Sequence, residues 1–106
     1  MKFLTLLFLV SLVFFISLAS AKAVTEEELS ICKEYSSVAR ELMNMRQLGM
    51  PMDTIMSLAL ESENSMLISI SEGLIEFPVF RTDAFKEQAA TEYSDMVWKE
   101  CYSAFK

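Results

Sequence analysis

TEEELSICKEYSSVARELMNMRQLG, residues 25–49, is the stretch on which the fold turns. Thr25 stands three residues before Glu28, the spacing of a capping box. There the hydroxyl accepts from the Glu28 backbone and the Glu28 carboxylate reaches back to the Thr25 backbone. Glu26, Glu27 and Glu28 also place negative charge at the positive end of the helix dipole. At the far end, Gly49 is suited to the left-handed conformation that closes a helix running to about Leu48. At about 100° per residue, Ile31, Cys32, Tyr35, Val38, Ala39, Leu42, Met43 and Met45 share one broad arc. Lys33, Ser37, Arg40, Glu41 and Asn44 lie opposite, so the spacing predicts an amphipathic helix with one buried face.

Downstream, Pro51 favours the first turn of a second helix, and Met52, Ile55, Met56, Ala59 and Leu60 keep helical spacing. Ser62-Glu63-Asn64-Ser65 is a polar break. A third helix is predicted over 65–77 from Leu67, Ile68, Leu74 and Ile75. Two features oppose it: Ile68-Ser69-Ile70-Ser71 alternates like a strand, and Gly73 weakens a helix by roughly 1 kcal/mol. A lone strand would have no partner here, so helix is expected. Pro78 ends that segment, and Phe80 is expected to fold the connection against the core. Thr82 or Asp83 caps a last helix to about Phe105, with Phe85, Ala89, Ala90, Tyr93, Met96, Val97 and Cys101 on one arc. Glu87, Gln88, Thr91, Asp95 and Lys99 occupy the other. The reading is an all-α bundle of about four helices.

Upstream, the sequence has the three parts of an export signal. Lys2 is the basic start, Phe3 to Leu18 is apolar apart from Thr5, Ser11 and Ser17, and Ala19-Ser20-Ala21 offers small residues for cleavage after Ala21. Ala21-Lys22-Ala23 is the alternative box. The apolar run is shorter than the roughly 20 residues of a spanning anchor. Residues 1–21 therefore read as a signal peptide and 22–106 as one domain of 85 residues. Its charge is −7, from eight basic against 15 acidic residues. That sign disfavours nucleic acid and anionic membrane surfaces and suits a basic partner.

The two cysteines, Cys32 and Cys101, both lie in the exported part, where an even pair implies a disulfide. Closing 69 residues of separation restricts the unfolded chain by about 4 kcal/mol in the chain-entropy picture. One cysteine lies near the start of the first helix and one near the end of the last, so the bond requires these helices to run antiparallel. Trp98 is then expected level with Tyr35, and Glu87 level with Arg46. With no histidine and no third cysteine, zinc sites and Cys/His catalysis are disfavoured.

Met45-Arg46-Gln47-Leu48-Gly49-Met50-Pro51-Met52, following a cysteine-bearing helix and followed by Pro78, Thr82, Ala89, Tyr93 and Cys101, resembles a family of small exported proteins of bacteria and tailed phages. The pattern is a cysteine, an Arg-Gln-x-Gly turn, a proline before the last helix and a closing cysteine. The likeness runs from about Cys32 to Tyr102. Many members have Ala-Tyr near the end of the third helix, where this chain has Glu76-Phe77. The resemblance implies an exported helical protein and no particular reaction.

Arg46 falls inside the apolar arc, and a buried guanidinium needs a partner. A structural pairing with Glu87, Asp83 or an acid of the third helix is one reading; a ligand or partner contact beside Gly49 is the other. Met43, Met45, Met50, Met52 and Met56 crowd into fourteen residues. Thioethers are soft Cu(I) ligands, but methionine also fills irregular cores and forms adaptable binding surfaces. Glu92 and Glu100, about 12 Å apart along one helix, are too far for a two-carboxylate glycosidase. Trp98 and Tyr102 read as packing groups, or as a binding patch if exposed. No catalytic residues and no cofactor are expected. The functional expectation is a non-enzymatic envelope protein acting through protein–protein contacts. An acid-stress chaperone of the envelope and a methionine-based copper carrier are the alternatives.

Overall fold

The computed structural model describes residues 23–106, and the expected signal peptide lies outside them. Helix α1 spans Glu26–Gln47 and is opened by the capping box, with Glu28 N donating to Thr25 Oγ1 at 3.2 Å and Thr25 N to Glu28 Oε1 at 3.1 Å. It closes as a Schellman motif: Gly49 N donates to Arg46 O and Met50 N to Met45 O, each at 3.1 Å, with Gly49 at φ +101°. A side chain at that φ would be strained although nothing crowds the position.

Helix α2, Met52–Glu61, starts with Pro51 as its N-cap residue, and Thr54 N and Ile55 N donate to Pro51 O. Helix α3, Ser65–Gly73, is capped by Asn64, whose Oδ1 accepts from Met66 N and Leu67 N. A single 3₁₀ turn, Leu74–Glu76, follows. Helix α4, Asp83–Phe105, is capped by the Thr82 hydroxyl, which accepts from Phe85 N at 3.3 Å. The described residues thus form an all-α bundle of four helices. Among them, no helix is long and apolar enough to cross a membrane.

Helices α1 and α4 run antiparallel and are tied at successive levels. Cys32 and Cys101 are disulfide-bonded, with Cα atoms 5.5 Å apart. Further down, Ser94 Oγ donates to Ser36 O at 2.9 Å and Arg40 Nη1 to Thr91 Oγ1 at 3.4 Å. Small residues bring the two helices together: Ala39, Ala89 and Ala90 are all sealed from solvent. The α2–α3 hairpin completes the core, placing Ile55, Ile70 and Leu74 in one cluster with Met43, Tyr93 and Val97.

The third helix departs from the sequence expectation. It is α-helical only to Gly73, because the Tyr93 ring of α4 lies across that glycine. A Cβ at residue 73 would overlap the Tyr93 hydroxyl and stand 3.1 Å from Cζ. Past this point the chain tightens, and Leu74 N–H turns to Ser71 O and Glu72 O. That leaves Ile70 O without its i+4 donor, and the Tyr93 hydroxyl donates to it instead. Gly73 therefore lowers helix propensity and permits the contact that finishes the helix.

The buried faces are also narrower than the predicted arcs. Met45, Leu60, Ile75, Phe85 and Met96 were all expected inside and are exposed. The seam of α1 is Cys32, Ala39, Met43 and Gln47, a thin line set by close packing on alanines, so residues at the edges of the arcs stay outside.

Candidate functional site

Two features stand out: a polar clamp inside the fold and an apolar groove on its surface. The clamp is built on Gln47, the last residue of α1, which is 2% exposed. Its Nε2 donates to Pro78 O at 2.9 Å and its Oε1 accepts from Phe80 N at 2.8 Å. One side-chain amide thus satisfies two backbone groups two residues apart, as a neighbouring strand would. The α3–α4 connection is held down by this pair, and Phe80 packs against the core as expected. The Gln47 Nε2 also lies 3.5 Å from Met43 Sδ. Within the Arg-Gln-x-Gly turn it is Gln47, not Arg46, that reaches the fold's interior.

Arg46 is half-buried, with its Nε enclosed and without a hydrogen-bond partner. The expected pairing with Glu87 or Asp83 does not form among the described residues. Glu87 is exposed and lines a separate hollow between α1 and α4 with Arg40, Asn44, Gln47 and Leu48. Arg46 does not line that hollow. The register set by Cys32–Cys101 and Ser36–Ser94 puts Trp98 level with Tyr35. The Trp98 ring stacks on Tyr102 with centroids 5.2 Å apart, while Tyr35 lines a small hollow with Asn64 and Leu67.

The five methionines disperse. Met43 is fully buried, Met50 and Met52 pack against the core, Met56 is half-buried and Met45 is exposed. The Met43 thioether, sealed in the core and beside Gln47, is unavailable to a metal ion. Of the two carboxylates considered as a pair, Glu92 accepts from Gln88 Nε2 at 2.8 Å on the outer face, and Glu100 faces α3. Among the described residues no group of histidine, cysteine or acidic side chains is arranged to hold a metal ion.

The groove runs between α3 and α4 and has a volume of about 410 Å³. Ile70 and Gly73 on one side and Tyr93, Val97 and Cys101 on the other form its floor, so one half of the disulfide is part of it. Tyr93 over Gly73, with Phe77 edge-on to Tyr93 at 5.2 Å, closes one end. Met66 and Met96 stand at the lips, 36% and 45% exposed. The charged lining residues are Glu76 and Glu100, both carboxylates. Burial, then the charge of Glu100, then that of Glu76, push the Tyr93 phenol from 10.0 up to about 12. This phenol stays protonated as a hydrogen-bond donor and is no base or nucleophile near neutral pH.

This surface is not evident in the sequence: the helical arc of α4 places Met96 inside, and nothing in its spacing singles out Met66. The available signal was Gly73, a helix-interior glycine opposite a tyrosine-bearing helix, which marks close approach at one point and separation beyond it. Comparison of the chain with known protein families, with curated proteins and with solved structures gives no match.

Proposed function

We propose that this is an exported, non-enzymatic protein of the cell envelope that acts by binding another polypeptide. The observation that supports this most directly is the groove between α3 and α4, an apolar trough with flexible methionine side chains at both lips. Thioether side chains adjust to the shape of an incoming apolar group, which suits a protein-binding surface. The disulfide between Cys32 and Cys101 fits an oxidising compartment outside the cytoplasm. The leader-like residues 1–21 agree with that placement, as does the family resemblance of residues 32–102.

The test is photo-crosslinking in cells that make the protein. A photoreactive residue is placed at Met96, at exposed Leu48 beside the Gly49 turn, or at Glu41 on the polar face of α1 as a control. A discrete adduct with another polypeptide is expected from Met96 or Leu48 and not from Glu41. Absence of any adduct from both apolar positions contradicts the reading. Mass spectrometry of the protein from the envelope fraction checks export, with a chain starting at Lys22 as the expected product.

A further inference from the structure

The groove has chemistry specific enough to name its occupant. Its floor and lips are apolar or aromatic, and its charge is entirely negative, from Glu76 near the closed end and Glu100 on α4. Along α3 and the 3₁₀ turn the lining extends from Met66 to Glu76, and along α4 from Tyr93 to Ala104. At about 1.5 Å per residue, each wall is roughly 15 Å long, the length of a three-turn helix.

We infer that the groove receives a basic amphipathic helix of a partner polypeptide. Apolar side chains of the partner enter between Met66 and Met96, and Lys or Arg residues beside its apolar stripe meet Glu76 and Glu100. This deepens the proposed envelope-binding role and rests on it. Charge complementarity selects this occupant over the others. A second copy would bring more acid to an acidic surface, since the chain has formal charge −6. Fatty acids and anionic lipid headgroups would set their charge against the same carboxylates, with no Lys or Arg in the lining to receive it. An amphipathic helix laid in a groove is also a recurrent mode of peptide recognition, read through i, i+3, i+4 and i+7 anchors.

The test uses the disulfide-bonded protein and three synthetic peptides of about four helical turns. The first has a leucine stripe flanked by lysines, the second the same stripe flanked by glutamates, and the third the first composition scrambled. Binding is followed by titration calorimetry and by the ¹³C-methyl NMR signals of the methionines. The expected result is binding of the lysine peptide alone, with the largest shifts at Met66 and Met96 and affinity falling as salt is raised. The Glu76→Gln/Glu100→Gln variant, altered only at exposed positions, should keep the wild-type circular dichroism and bind about fivefold more weakly.

Equal binding of the lysine and glutamate peptides would overturn the inference, as would shifts centred on Met45 or Met56. So would concentration-dependent shifts of Met66 and Met96 without peptide, which would mean that a second copy fills the groove. The groove's occupant and the partner-binding role are tested separately. Adducts from Leu48 with no binding of the lysine peptide would remove the groove's occupant and leave the partner-binding role. Absence of adducts from both Met96 and Leu48 would remove the role itself.

Discussion

Replacing Gly73 by alanine sets two physical effects against each other. Helix propensity favours the change by about 0.5 to 1 kcal/mol, because glycine is the more flexible residue in the unfolded chain. Packing opposes it. The new Cβ would overlap the Tyr93 hydroxyl and stand 3.1 Å from Cζ and 3.3 Å from Cε1, so the ring must retreat. A retreating hydroxyl loses Ile70 O, a carbonyl the 3₁₀ turn has already left without its helical donor. Leaving such a buried acceptor unpaired costs about 1–3 kcal/mol. The net expectation is a loss of about 1–2 kcal/mol, opposite in sign to the propensity effect. Tyr93→Phe removes the hydroxyl directly and should cost a similar amount. Gly73→Ala made in the Tyr93→Phe background should then cost less, because only the ring-carbon contacts remain, giving a coupling of about 1 kcal/mol between the two positions. Urea unfolding of the four proteins, followed at the helix band in circular dichroism, measures this cycle. A Gly73→Ala protein more stable than wild type would refute the reasoning, as would strictly additive effects.

Other substitutions and conditions have equally definite outcomes. Gln47→Ala leaves Pro78 O and Phe80 N unpaired, so stability should fall by about 2–4 kcal/mol and hydrogen exchange at the Phe80 amide should speed at least tenfold. Unchanged exchange there would show that the clamp does not hold the connection. The raised Tyr93 pKa means the folded state retains a proton that the unfolded state releases near 10.0, so this contribution is intact below pH 10 and is lost as pH rises to about 12. Tyrosinate absorbance should show a late phase near pH 12 that Tyr93→Phe abolishes. Its persistence in the variant would contradict the assignment. Replacing both Cys32 and Cys101 by serine should lower stability by up to about 4 kcal/mol, read as a drop in Tm by calorimetry.

Features encoded locally were legible in the sequence. The Thr25–Glu28 capping box, the Gly49 turn and the Thr82 cap each depend on residues a few positions apart, and all three form. The disulfide was legible because only one pairing of two cysteines exists, and the antiparallel α1–α4 pair follows from it. What escaped depends on distant backbone. Gln47 binds carbonyl and amide groups more than thirty residues away, and such partners leave no trace in residue type. The apolar arc of α1 takes in Arg46 and leaves Gln47 out. In the fold Gln47 is sealed from solvent and Arg46 is half-buried. The groove escaped for the same reason, since a gap between helices is set by where they touch.

The position of the disulfide has a mechanical consequence. Cys32 lies within two turns of the start of α1, and Cys101 within two turns of the end of α4. Tension applied to the chain from either side therefore meets the sulfur–sulfur bond first and passes across it. The segment closed by the cysteines, 69 positions apart, holds the Gln47 clamp and most of the groove lining and is shielded from the load. Stretched between two surfaces, the oxidised protein would keep residues 32–101 folded, and cutting that bond would let the whole helical body pay out.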